Sequence, residues 1–240
     1  MTRRSRPGLF IAGTDTGVGK TLAAVSIVRA LTARGLRVAA MKPVAAGAVS
    51  TSQGLRNDDA EALAAASNVP APYELINPFC LPAPVSPHIA AAEAATVIDI
   101  AHIARCFESL AARAHYAIVE GAGGWLAPIG ERETVADVAC ALDLPVVLIV
   151  GLRLGCLNHA LLSARAIAED GLPLAGWIAN HLDPGLERLD ENVATLTRLL
   201  GRPPLAFIAH RPRGAPAGRS ADGSRASALE PGVALPDAAG

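Results

Sequence analysis

Aromatic residues are scarce in this sequence, at 3 % of 240 positions. A core without them must be filled by Ala, Val, Leu and Ile, and hydrophobic residues reach 51 %. That composition suits helices packed closely on a parallel sheet. Charge bias is missing too. Lys and Arg number 21 against 22 Asp and Glu, a formal net charge of −1. No general attraction to nucleic acid or to a membrane surface is therefore expected. Cys80, Cys106, Cys140 and Cys156 form no CxxC pair and read as buried free thiols. The histidines show no HExxH or HxxxH spacing, so no structural zinc is expected. No run approaches the ~18 apolar residues of a membrane span. The basic start, Thr2-Arg3-Arg4-Ser5-Arg6, precedes an apolar run shorter than the ~7–15 residues of a secretory signal. Residues 1–8 are expected to form a solvated basic tail of a cytoplasmic protein. Residues 9–210 form one α/β domain in this reading. Residues 211–240, rich in Gly, Ala and Pro, are expected to be disordered.

What is present centres on residues 9–21. Leu9 to Ala12 read as a short buried strand, followed by Gly13-Thr14-Asp15-Thr16-Gly17-Val18-Gly19-Lys20-Thr21 and an apolar-periodic helix. Gly19-Lys20-Thr21 ends a phosphate-binding loop. Successive backbone N–H groups at the helix start, from Gly17 and Val18 to Leu22, make an anion cradle that the helix dipole reinforces. Lys20 is expected to reach the outer phosphates of ATP and the Thr21 hydroxyl to hold Mg²⁺. Gly13 stands one place earlier than the usual spacing requires, so the loop is one residue longer.

Val38 to Met41 read as a second strand that delivers Lys42 at its carboxyl end, where open α/β sheets bind ligands. Residues 45–57 read as a flexible loop. Asn57 is positioned to cap a helix from Asp58 to Ala66. Taken alone, Asp58 and Asp59 read as capping charges in preference to metal ligands. Residues 70–88, with Pro82, Pro84 and Pro87 among their prolines, are expected to hold no regular element. A helix is expected over 97–113. Tyr116 to Val119 read as a third strand, ending in Glu120-Gly121-Ala122-Gly123-Gly124. A carboxylate at that strand tip matches the second half of a P-loop site, and the glycines let backbone approach phosphate. Leu144 to Val150 is a strand apolar at nearly every position, as one covered on both faces must be. A helix starting near Asn158 offers a second anion site. Leu174 to Ala179 read as a strand ending at Asn180, whose amide has a donor and an acceptor for an adenine edge. A helix over 186–200 and a strand over 205–209 complete the order. Alternating strands and helices with right-handed crossovers predict a three-layer α/β sandwich with a mostly parallel sheet, of the P-loop nucleoside triphosphate hydrolase type.

Seven runs then point to a family. They are the loop at 13–21, Lys42-Pro43-Val44-Ala45, Arg56-Asn57-Asp58-Asp59-Ala60, Ser86-Pro87-His88, Val119-Glu120-Gly121-Ala122-Gly123-Gly124-Trp125, Gly155-Cys156-Leu157-Asn158-His159 and Ala175-Gly176-Trp177-Ile178-Ala179-Asn180. In order and spacing they resemble dethiobiotin synthetases, which share the longer loop. The resemblance implies an ATP- and Mg²⁺-dependent C–N bond-forming ligase of biotin biosynthesis. Its substrates would be diaminopelargonate, a vicinal diamine, and CO₂. A carbamate, then a carbamic–phosphoric anhydride, leads to a cyclic urea, with ADP and phosphate released. It implies Lys42, Lys20 and Thr16 as catalytic groups, with Thr16 and Lys42 touching the substrate. Thr21, Asp59 and Glu120 would be metal ligands. Gly17, Val18, Gly19, Lys20, Thr21, Leu22, Asp59, Glu120, Gly121, Ala122, Gly123 and Asn180 would bind the nucleotide. Leu157 and Asn158 would hold the distal carboxylate, from the other subunit of a homodimer. The chain departs from the family at Ala46, where Ser is common, at Phe207-Ile208-Ala209, where a Glu-Ile-Pro-like segment stands, and at Asn192, where Tyr is common.

The alternative is a partition- or positioning-type ATPase switch on the same fold. Such proteins carry a second lysine early in the loop, where this chain has Asp15. An amide-forming cobyrinate-type synthetase would need a further glutamine-hydrolysing domain.

Overall fold

The computed structural model describes residues 7–210. The expected basic tail lies outside the described residues except for Pro7 and for Gly8, which opens the first strand, and the expected disordered tail at 211–240 lies outside them entirely. Six parallel strands form the central sheet, in the order β10-β9-β8-β1-β7-β2. In chain order the elements are β1 (Gly8–Gly13), α1 (Lys20–Ala33), β2 (Val38–Met41), β3 (Val44–Ala46), β4 (Val49–Thr51), β5 (Gly54–Arg56), α2 (Asp58–Ala66), α3 (Tyr73–Ile76), β6 (Phe79–Leu81), α4 (Pro87–Glu93), α5 (Ile100–Ala111), β7 (Tyr116–Glu120), α6 (Val135–Leu142), β8 (Val146–Leu152), α7 (Cys156–Glu169), β9 (Leu174–His181), α8 (Leu189–Leu199) and β10 (Ala206–Ile208).

The central strands are buried along their whole length, which is why they lack polar alternation. Side chains still alternate between faces. Leu9 and Ile11 join Ile27 and Val28 of α1 on one side. Phe10 and Ala12 join Ile103 and Leu110 of α5 and Val138 of α6 on the other. Each fully buried Leu or Ile contributes ~1.5–3 kcal/mol, so the two apolar layers fix the sheet, and the sheet fixes the loops at its carboxyl edge. Register places Ile11 beside Glu120 and Gly13 beside Ile149. The phosphate loop thus leaves the sheet next to the tip of β7. Among the described residues no helix is long and apolar enough to cross a membrane.

Three local expectations need correction. The 70–88 segment holds α3, β6 and the start of α4. Its prolines flank these elements, and Pro87 occupies the first turn of α4, where a missing N–H costs nothing. The 45–57 loop contains β3, which pairs with β6, and the β4–β5 hairpin turning at Gly54. Finally, the short helix α6 was not anticipated. It begins in a capping box between Thr134 and Asp137. Smaller shifts have local causes. The Asp99 side chain accepts from Ala101 N and starts α5 at Ile100, and Gly155 at φ +92° starts α7 at Cys156. The cysteines are free, but Cys140 is exposed and Cys80 only half-buried.

Candidate functional site

The loop between β1 and α1 opens into a cavity of about 780 Å³. Thr16, Gly17, Gly19, Lys20, Thr21, Lys42, Asp59, Glu120, Ala122 and Gly123 all line it. Residues separated by a hundred positions in sequence meet here because β1, β7 and β2 are adjacent in the sheet.

Gly19 has φ +90° and stands at the start of α1. A Cβ there would approach Asn180 Nδ2 to 2.3 Å, so the position needs glycine on two counts. Asn180 Nδ2 donates to Val18 O at 2.8 Å and ties the loop to the end of β9. Lys20 Nζ donates to Gly123 O at 2.6 Å and to Asp15 O at 2.9 Å. Burial first, and the neighbouring charge of Lys42 second, lower its pKa to about 8. An anion in the loop would reverse that penalty.

Glu120 is the pivot. It is fully buried, and its Oε1 accepts from Thr21 Oγ1 at 2.9 Å and from Lys42 Nζ at 2.5 Å. Lys42 Nζ donates further to Asp59 Oδ2 at 3.2 Å and to Gly121 O at 3.2 Å. Burial opposes the charge on Lys42, but Glu120 and then Asp59 outweigh it, and the pKa rises. Asp59 is held below the usual carboxylate range by Lys42, against its own burial. Asn57 does cap α2, accepting from the N–H groups of Asp59 and Ala60. Asp59 nonetheless turns its carboxylate to Lys42, so a capping role alone does not describe it.

Glu120 Oε2 is buried without a hydrogen-bond partner. An orphaned carboxylate oxygen beside a hydroxyl and a second carboxylate is a hard-oxygen donor set, which suits a small divalent cation. Among the described residues no group of three or more His, Cys, Asp and Glu side chains could hold a metal. Any cation here would need, besides the two carboxylates, the Thr21 hydroxyl and phosphate oxygens.

A second cavity of about 490 Å³ adjoins the first and is lined by Leu22, Asn180, His181, Ile208 and His210 among others. Thr16 and Gly17 line both. Leu157 and Asn158, in the first turn of α7, line neither. Sequence reasoning missed the ion pair of Arg153 with Asp15, whose other carboxylate oxygen accepts from Thr16 N at 2.7 Å. It also missed Tyr73 and Asn77, whose segment carries no local signal. Trp125 closes the Gly-rich turn. It is buried, meets Phe10 edge-on at 6.2 Å, and donates from Nε1 to Asp170 Oδ2 at 2.7 Å.

The chain matches the family model described as AAA domain over residues 7–216. It is 48 % identical to the ATP-dependent dethiobiotin synthetase of Xanthomonas axonopodis pv. citri, covering 90 % of this chain and 96 % of that protein. The chain belongs to the dethiobiotin synthetase family. A synthetase of the same name from Pseudomonas paraeruginosa is 49 % identical over 90 % of this chain and 93 % of its own length. Membership makes the chain an enzyme of the ligase class in an ATP-dependent family. The fold is shared more widely. The septum site-determining protein MinD complexed with Mg-ADP, from Pyrococcus horikoshii, superposes with a TM-score of 0.54 at 17 % identity, over 86 % of this chain and 82 % of that one. A ParA family ATPase from Chlorobium tepidum gives 0.52 at 15 %, over 86 % and 85 %. These likenesses concern the fold alone. In this chain, Asp15 of the phosphate loop is paired to Arg153.

Proposed function

We propose that this protein closes the cyclic urea of dethiobiotin from diaminopelargonate, CO₂ and ATP. One amine nitrogen attacks CO₂, loses a proton and becomes a carbamate. A carbamate oxygen attacks the γ-phosphorus, and ADP leaves. The second amine attacks the carbonyl carbon of the anhydride, phosphate leaves, and the ring is closed. Carbamate and γ-phosphate are both anionic, so their approach needs fixed positive charge. Lys42 supplies it from a buried position in the cavity shared with Thr16 and Lys20, and this observation carries the proposal.

The remaining roles follow the cavity. Lys20 and the backbone of Gly17, Val18, Gly19, Thr21 and Leu22 hold the β- and γ-phosphates, with Gly121, Ala122 and Gly123 opposite. Lys20 exchanges the Gly123 carbonyl for phosphate oxygen. Thr21, Asp59 and Glu120 would hold Mg²⁺, with the orphaned Glu120 Oε2 as a free donor. Bound there, Mg²⁺ would neutralise charge developing on the transferred phosphoryl group. With Nδ2 engaged by Val18, Asn180 has Oδ1 left for an adenine amino group. Thr16 bonds the diamine or carbamate. Leu157 and Asn158 line neither cavity, so their role at the distal carboxylate belongs to a homodimer, in which α7 of the other subunit faces this site. Its location would be the cytoplasm.

Purified protein given Mg²⁺, bicarbonate and ATP is expected to release phosphate stoichiometrically with dethiobiotin only when the diamine is added. Diamine-independent ATP turnover, unstimulated by the diamine, would overturn the synthetase reading in favour of a switch ATPase.

A further inference from the structure

Lys42 and Asp59 sit on different elements, at the end of β2 and in the first turn of α2. Their opposed charges meet at 3.2 Å. Something must set that spacing, and a single helical turn, α3, packs against both elements. Lys42 N donates to Ile76 O at 2.8 Å. Asn77 Nδ2 donates to Lys42 O at 2.7 Å and to Phe79 O at 3.3 Å. The backbone on both sides of Lys42 is therefore fixed by the residues that end α3. At the start of α3, the Tyr73 hydroxyl accepts from Asn57 N at 2.9 Å and donates to Asn77 Oδ1 at 3.3 Å. Asn57 is the cap whose carboxamide accepts from Asp59 N and Ala60 N.

We infer that the Tyr73 hydroxyl is a positioning group that sets the separation of Lys42 and Asp59. This rests on the roles proposed above for those two residues. One oxygen links the cap that aims Asp59 to the amide that grips Lys42. Both bonds meet at one atom, one accepted and one donated, and a hydroxyl oxygen provides both. The ring itself is held independently, with the Arg56 guanidinium stacked 4.1 Å from its centroid. Burial pushes the Tyr73 pKa up to about 12, so the hydroxyl keeps its proton. The hydroxyl also meets Cys80 Sγ at 3.9 Å, a contact in which either atom can be the donor.

Tyr73→Phe in the full chain tests this. The ring and its stacking remain, and only the link is removed. The expected result is a fall in kcat of about tenfold or more, because small misplacements of reacting groups cost rate steeply. KM for ATP should stay within about threefold, since the phosphate loop is untouched. Cys80→Ala should leave kcat within about twofold. Amide hydrogen exchange on the free protein gives a readout independent of turnover. In Tyr73→Phe the amides of Asp59 and Ala60 should exchange about tenfold faster or more, with the β1 and β7 amides unchanged. Unchanged exchange at Asp59 and Ala60, or unchanged kcat in Tyr73→Phe, would overturn the inference. So would an equal loss of kcat in Cys80→Ala. A wild-type protein without diamine-stimulated turnover would instead overturn the functional proposal, while the exchange measurement still decides the role of Tyr73.

Discussion

Lys42→Ala is expected to lower kcat by about a hundredfold to a thousandfold while ATP binding changes by only a few-fold. Removing one preorganised electrostatic group from a dry site typically costs that much rate. Lys42 is only 4 % exposed, and its Nζ touches two carboxylates and the Gly121 carbonyl, not the loop amides that cradle phosphate. Steady-state kinetics with calorimetric titration of ATP separates the two effects. An equal collapse of ATP affinity would make Lys42 a nucleotide anchor and end the proposed role. Lys42→Arg should not restore rate, because a planar fork cannot replace a point charge between two carboxylates.

The same variant reports on stability. Breaking a buried ion pair by removing one partner costs ~3–5 kcal/mol, because the other charge stays buried. The pH dependence follows from three shifts. Lys42 is raised, so its contribution is fully present below the unfolded lysine value of ~10.4 and is lost as pH rises through the folded value. Asp59 is lowered, so its contribution is present above ~3.9 and is lost as pH falls through its folded value. Between those limits the contribution of the pair itself is flat. Lys20, lowered to about 8 by burial and then by the charge of Lys42, titrates inside that window, and removing Lys42 relieves their repulsion only where Lys20 is charged, so the loss of Tm in Lys42→Ala should be smaller at about pH 6 than at about pH 9.

Glu120→Gln is expected to abolish the enhancement of nucleotide binding by divalent cation. Glutamine keeps the shape and an acceptor for Thr21 and Lys42, but it removes the charge. Wild type and variant should bind ATP alike in chelator. Added Mg²⁺ should tighten binding about ten- to a hundredfold in the wild type alone. Equal tightening in both would exclude Glu120 from the metal. The variant also deprives Lys42 of its principal counter-charge. Burial then acts unopposed except by Asp59 and lowers the Lys42 pKa, so the alkaline limb of the rate profile should move to lower pH.

Legibility in the sequence followed locality. The phosphate loop, Lys42 and Glu120 were readable because each sits where a strand meets a turn, and that junction has a signature of its own. Family resemblance added the proposed role of Asp59 and the proposed reaction. The contacts that complete the site were not readable. Lys20 ends on the backbone carbonyl of Gly123, and Asn77 grips the carbonyl of Lys42. A carbonyl is the same in every residue and leaves no trace in composition. The short helix α6 escaped because most of its residues are buried and periodicity finds no polar face. Its Thr134/Asp137 capping box was the available signal. Proline density misled at 70–88, since prolines flank short elements as readily as they exclude them.

The indole of Trp125 has a practical consequence. It lies two residues from the carbonyl that holds Lys20 Nζ, packed against Phe10 and hydrogen-bonded to Asp170. Trp177, the other indole, is buried on β9 and donates to Arg202 O. A ligand that draws Lys20 from Gly123 alters the surroundings of one chromophore and not the other. The molecule therefore carries a built-in optical reporter of its phosphate loop, with an internal reference, in a chain of otherwise few aromatics.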